Sequence, residues 1–131
     1  MQTTSVITHI SNWLKDYANS CDSQGFVIGI SGGIDSAVTS ILAAKTGLPL
    51  ICIEMPIHQN KTQAERGLKH IEWLKENFSN ASSKKLELTS TFDEFIAKIP
   101  DNNKSEVALV NTRARLRMTT LYYFAQANNS L

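Results

Sequence analysis

The residues of this chain best suited to chemistry stand together at Ser31-Gly32-Gly33-Ile34-Asp35-Ser36. Two adjacent glycines let a backbone turn tightly and approach a ligand with no Cβ in the way. Behind them, Ala37-Val-Thr-Ser-Ile-Leu-Ala-Ala-Lys45 carries helix formers up to Gly47, a natural stop. The first N–H groups of a helix have no intrahelical acceptor, and the helix dipole favours negative charge beside them. A loop of this kind is suited to phosphate. The residues expected to line the phosphates are Gly29, Ile30, Ser31, Gly32, Gly33, Ile34, Asp35 and Ser36.

Two features set this loop apart from other glycine-rich loops. No lysine follows the glycines, as it does in the G-x-x-x-x-G-K-[ST] loop. The full G-x-G-x-x-G spacing of a dinucleotide-binding turn is missing as well. Instead, Asp35 stands between the hydroxyls of Ser31 and Ser36. A carboxylate facing phosphates repels them unless a divalent cation sits between, and Mg²⁺ is commonly held by one or two carboxylates plus substrate phosphates. Asp35 is therefore the expected metal ligand, with Ser31 and Ser36 as donors to phosphate oxygen. The plainer reading makes Asp35 and Ser36 N-terminal caps. Capping accounts for either residue alone, not for the whole string behind an apolar strand.

Ser31-Gly-Gly-Ile-Asp-Ser36 resembles the pyrophosphate loop, SGGxDS, of the ATP-pyrophosphatase (PP-loop) superfamily. Those enzymes split ATP into AMP and pyrophosphate while adenylating a substrate. They include NAD synthetases, GMP synthetases, asparagine and argininosuccinate synthetases and tRNA-thiolating enzymes. The resemblance implies ATP and Mg²⁺ as cofactors, but the loop does not choose among the members.

The elements around the loop alternate. Ile7, Ile10, Leu14 and Tyr17 recur at helical spacing. Phe26–Ser31 reads as a buried strand and the helix after it runs to about Thr46. Leu50–Met55, before Pro56, reads as a second strand, and Thr62 to Asn77 as a helix with Ala64, Leu68, Ile71 and Leu74 on one face. Lys85–Thr89 reads as a half-polar edge strand, and Thr91–Glu94 as a capping box opening a short helix that ends before Pro100. A loop at Asp101–Ser105 precedes a last helix from about Glu106 towards Asn128. This order predicts an α/β fold: a doubly wound parallel sheet with helices on both faces, adenine nucleotide alpha-hydrolase-like by the resemblance. Ligands of such sheets bind outside the carboxyl ends of the strands, where strand order reverses.

The 131 residues are read as one domain. Thirteen basic and twelve acidic side chains argue against an electrostatic nucleic-acid surface. Only Cys21 and Cys52 are present, which fits a reducing, cytoplasmic setting. No signal pattern and no apolar run of membrane length occurs, so no membrane partner is expected. His58 and His70 show no metal-like spacing, and Trp13 and Trp73 are read as packing residues.

Three features narrow the resemblance. The second strand runs into Met55-Pro56, as in NAD synthetases, where it is well placed to offer backbone groups to adenine. Asn111-Thr-Arg-Ala-Arg-Leu-Arg-Met118 resembles the N-x-x-A-R-x-R-M helix of that family. Asn111 and Arg115, four apart, share a face, and the resemblance makes them contacts to deamido-NAD; Arg113 and Arg117 lie on a rotated face. A solvated basic face, or a stripe touching RNA, is the plainer account. The chain starts with the helix just before the nucleotide strand, leaving no space for the ammonia-releasing domain of glutamine-dependent members, so the resemblance implies the short, ammonia-dependent type.

The chain matches only the amino-terminal half of that family; what should follow is a strand beside the first, a second acidic metal ligand and a mobile segment. Glu54 and Val110 depart from common family residues. The resemblance implies ATP-dependent adenylation of deamido-NAD, amidation by ammonia, and a homodimer contacting through Leu109, Met118, Leu121 and Tyr122, which serve equally as core residues. The alternatives are another AMP-forming PP-loop enzyme, of GMP synthetase or tRNA-thiolating type, and a catalytically silent nucleotide-binding module.

Overall fold

The alternation of apolar residues at odd and even positions divides this protein into two layers around a parallel sheet. The computed structural model describes residues 2–100 and 105–131. The order is α1 (Thr3–Ser20), β1 (Phe26–Gly29), α2 (Ile34–Ala44), β2 (Leu50–Glu54), α3 (Lys61–Asn77), β3 (Ala81–Lys85), α4 (Thr89–Ala97) and α5 (Glu106–Ala127). The strands lie in the order β1-β2-β3, all parallel, with Phe26 opposite Leu50 and Leu50 opposite Ala81. Strand side chains point alternately to opposite faces. Phe26, Ile28, Ile30, Leu50 and Cys52 therefore meet Ala18 of α1, Ala43 and Ala44 of α2, and Ile71 and Leu74 of α3. Val27, Ile51, Ile53 and Met55 instead meet Leu88, Phe92 and Ile96 around α4 and Leu109, Leu116, Leu121 and Phe124 of α5. The expected doubly wound arrangement is the one observed.

The third strand lies four residues earlier than expected, at Ala81–Lys85 instead of Lys85–Thr89. Asn80 anchors its start, donating to the carbonyls of Ala44 and Leu48 while its own carbonyl accepts from Leu50. Leu86 and Leu88 still bond to the carbonyls of Glu54 and Pro56, so apolar alternation marked the tail of this pairing. The capping box also fails. Helix α4 begins at Thr89, whose N–H donates to the Glu87 carboxylate, so Thr91 and Glu94 lie inside the helix. Trp13 and Trp73 are more exposed than expected, stacked on Tyr17 and His70 at the surface. Except for Ser105, the expected 101–105 loop lies outside the described residues.

The chain returns to the free side of β1. Leu131 donates to the Gly25 carbonyl and its own carbonyl accepts from Val27, and Ser130 pairs with Gly25 in parallel. Strand order therefore reverses at β1, whose carboxyl end carries the glycine loop.

Candidate nucleotide site

Ile30 extends the β1–β2 ladder by one bond to the Ile53 carbonyl before the chain turns into the loop. Gly32 makes that turn at φ +84°, and a Cβ there would stand 2.2 Å from the Gln63 carbonyl oxygen of α3. Only glycine satisfies both demands. Gly33 is then the N-cap of α2, with no side-chain cap bond, so neither Asp35 nor Ser36 is the cap. The amides of Ile34, Asp35 and Ser36 open the helix and lack intrahelical acceptors.

The two hydroxyls brace the loop from within. Ser36 Oγ donates to the Gly33 carbonyl (3.2 Å) and accepts from the Ser31 amide (3.2 Å). It also lies 3.1 Å from Ser31 Oγ, which accepts from the Gly33 amide. The structure thus brings Ser31, Gly32, Gly33, Ile34, Asp35 and Ser36 together, with the serines turned to each other across the turn. Asp35 is exposed in the first helical turn. No cluster of three or more His, Cys, Asp or Glu side chains occurs among the described residues. One carboxylate beside free amides fits an ion held chiefly by phosphate oxygens, not a dedicated protein cage.

The loop divides two cavities. On one side, about 470 Å³ is lined by Gly29, Ile30 and Ser31 with Met55, Ile57, His58, Gln59, Asn60, Gln63, Arg117 and Leu121. On the other, about 290 Å³ lies between the start of α2 and Arg66 and His70 of α3. Burial lowers the His70 pKa, and its Nε2 sits 2.8 Å from the buried Ser40 Oγ. Burial likewise pushes the Cys52 thiol up to about 11, so it remains a neutral core group.

Asn111 and Arg115 are not at this loop. Both are exposed on the outer face of α5, and Arg115 borders a separate cavity of about 390 Å³ with Thr91, Phe95, Thr112, Leu116 and Thr119. Two further residues turn a helix by about 200°. Arg117 therefore faces the sheet, where its Nε donates to the Met55 carbonyl at 2.9 Å. Burial, then the charge of Arg113, lowers its pKa. The end of the second strand, expected to offer backbone groups to adenine, thus has its Met55 carbonyl bonded to Arg117. Arg117, His58 and Gln59 were not singled out as site residues from sequence. The i,i+4 spacing of Arg113 and Arg117 was the available signal for the first; Arg113 itself sits over the Phe92 ring at 5.6 Å.

A phosphate-type loop at the switch point of a parallel sheet defines an α/β domain of the PP-loop kind. The family model described as NAD synthase matches residues 6–131, and the chain belongs to that family. The NH(3)-dependent NAD(+) synthetase of Malacoplasma penetrans is 35% identical over 127 residues, covering 96% of this chain and 49% of the relative. That of Finegoldia magna is 36% identical, covering 91% and 47%. Among solved structures, NMN synthetase from Francisella tularensis superposes with a TM-score of 0.89 at 34% identity, over 99% of this chain and 52% of that one. The NH3-dependent NAD synthetase of Campylobacter jejuni, in complex with the nitrate ion, gives 0.87 at 31%, over 100% and 55%. The chain spans about half the length of the relatives it matches.

Proposed function

We propose that this chain carries the ATP-handling half of an ammonia-dependent NAD synthetase. A carboxylate oxygen of deamido-NAD attacks the α-phosphorus of ATP. The bond to the bridging oxygen breaks and pyrophosphate leaves. Ammonia then attacks the acyl carbon, loses a proton and expels AMP, giving the amide. The observation that carries this reading is the set of first-turn amides at Ile34, Asp35 and Ser36, aimed from the switch point with Gly32 holding the turn. Fixed donors of this kind stabilise charge developing on pyrophosphate. Asp35 would hold Mg²⁺, which supplies charge neutralisation on the phosphates when bound. The serine bracing keeps the amides in place, and Arg117 walls the neighbouring cavity.

Asn111 and Arg115 take the acid substrate on the outer face of α5. That helix has no buried residue, and its exposed Val107, Val110, Met118 and Tyr122 suit a second subunit, supporting a homodimer. The cytoplasm is the proposed setting. No described helix is long and apolar enough to cross a membrane.

The likeness to an NMN synthetase supports a second reading, in which the acid is a mononucleotide. ATP–pyrophosphate exchange by the chain separates the two. Exchange dependent on deamido-NAD supports the first, exchange dependent on the deamidated mononucleotide the second. The double variant Asn111→Ala/Arg115→Ala should lose exchange yet still bind ATP. Exchange that survives it removes those residues from the acid site. ATP bound without exchange under either acid means a silent module.

A further inference from the structure

The segment between β2 and α3 forms one wall of the larger cavity, and its shape is set from outside the cavity. Leu86 and Leu88 donate to the carbonyls of Glu54 and Pro56, carrying the pairing of this segment past the end of β3. At the next step α4 takes over: the His58 N–H donates to Thr89 Oγ1 at 3.1 Å. His58 has φ +48°, a left-handed conformation uncommon outside glycine. That turn reverses the chain so that Gln59 faces the glycine loop, where its Nε2 donates to the Ser31 carbonyl at 3.1 Å. Asn60 caps α3 through the Thr62 amide, and Gln63 then abuts Gly32.

The His58 ring is held as well. Its Nε2 lies 2.7 Å from Asp93 Oδ1, and its edge meets the Phe92 ring at 6.4 Å between centroids. Thr89 and Asp93 are four apart on α4, so one helical face grips both the backbone and the ring of the same residue. A half-exposed histidine serving only solubility would need neither contact.

We infer that His58 is a positioning residue for the nucleotide: clasped by Thr89 and Asp93, it holds Gln59 against the Ser31 carbonyl and so presets the wall and loop that receive ATP. The inference rests on the ATP reading proposed above. Losing the clasp leaves the fold intact but lowers the fraction of molecules whose wall is closed. Apparent affinity falls by that fraction.

The test is calorimetric titration of Mg²⁺·ATP into the wild-type chain, His58→Gly, Asp93→Ala and the double variant, with thermal melts alongside. Glycine accepts φ +48° without strain, so His58→Gly removes the ring and spares the turn. Each single variant should weaken binding about threefold to fivefold, the size an exposed pair can support. The double variant should match the singles, because both remove one interaction. His58→Gln, which can still donate to Asp93, should recover part of the loss. Wild-type affinity in His58→Gly or Asp93→Ala overturns the inference and leaves the ATP reading standing. Additive losses in the double variant also overturn it, since the two residues would then act separately. A wild-type chain that binds no ATP overturns both. Losses that merely follow the melting temperature in all variants assign His58 a structural role alone.

Discussion

Gly32→Ala isolates the physical claim on which the loop depends. Two costs fall on the new methyl group. At φ +84° a residue with a Cβ sits in the left-handed region, at about 1–2 kcal/mol. The methyl carbon would also stand 2.2 Å from the Gln63 carbonyl oxygen, which is backbone and cannot rotate away. Pushing packed elements apart costs about 1–3 kcal/mol more. The sum, about 2–5 kcal/mol, corresponds to a melting temperature roughly 7–18 °C lower for a domain of this size. Relief by moving the loop away from α3 would spoil the aim of the amides, so ATP affinity should fall by at least about tenfold.

Gly33→Ala is the control one residue away. Gly33 has φ −91° and ψ 167°, which any residue adopts, and its Cβ would meet only Ser31 Oγ at 3.3 Å. That hydroxyl belongs to a side chain that can shift, and alanine replaces glycine at an N-cap at a cost below about 1 kcal/mol. Thermal melts of the two variants should therefore differ widely. Equal melting temperatures would refute the assignment of Gly32 as the residue locked between turn and helix.

Asp35→Asn should raise ATP affinity in chelator, where the carboxylate repels the phosphates, and abolish the gain that Mg²⁺ brings, as read by titration with and without the ion. Arg117→Ala removes the bond to the Met55 carbonyl, and urea unfolding should report a loss of about 1–3 kcal/mol, as for other bonds to charged groups. Arg117→Lys should recover little, since an ammonium lacks the guanidinium's planar fork. His70 gives a pH dependence. Its folded-state pKa lies below the ordinary 6.5, so the unfolded chain binds the proton more readily. Its share of stability is complete above about pH 6.5 and is lost as pH falls through the folded value. His70→Gln should flatten that part of the stability profile below about pH 6.5.

The elements that position the loop were legible because they obey short-range rules. Val27 and Ile28 point to opposite faces of a buried strand, and Gly47 stops the following helix; both follow from periodicity and glycine chemistry alone. The third strand was not legible. Ala81-Ser-Ser-Lys-Lys85 has little intrinsic strand preference, and its place is set by Asn80 and by the facing β2 backbone. The wall of the cavity was hidden for a similar reason. His58 and Asp93 are separated by 35 residues, and nothing local in either segment announces the contact. Arg117 was half legible: its spacing separated it from Arg115, but only the packed helix shows that the separation points it at the sheet.

A chain spanning half its relatives' length nonetheless holds several contacts that shape the loop. Gly32 is locked by α3, Ser31 and Ser36 brace each other, and Gln59 holds the Ser31 carbonyl. Arg117 closes the far wall from α5, and Ser130 and Leu131 already occupy the outer side of β1 at its start. Asn111 and Arg115 differ in kind. They stand on the outside of a helix whose exposed face also carries Val107, Met118 and Tyr122, and a polar pair among apolar neighbours gains selectivity only when something covers it. The two halves of the proposed reaction thus have different structural requirements. On the proposed reading, nucleotide binding draws on the loop inside this domain, whereas selection of the acid draws on the outer face of α5. Variants of the loop should accordingly change ATP affinity at any protein concentration, and variants of Asn111 or Arg115 should matter only when that face is occupied.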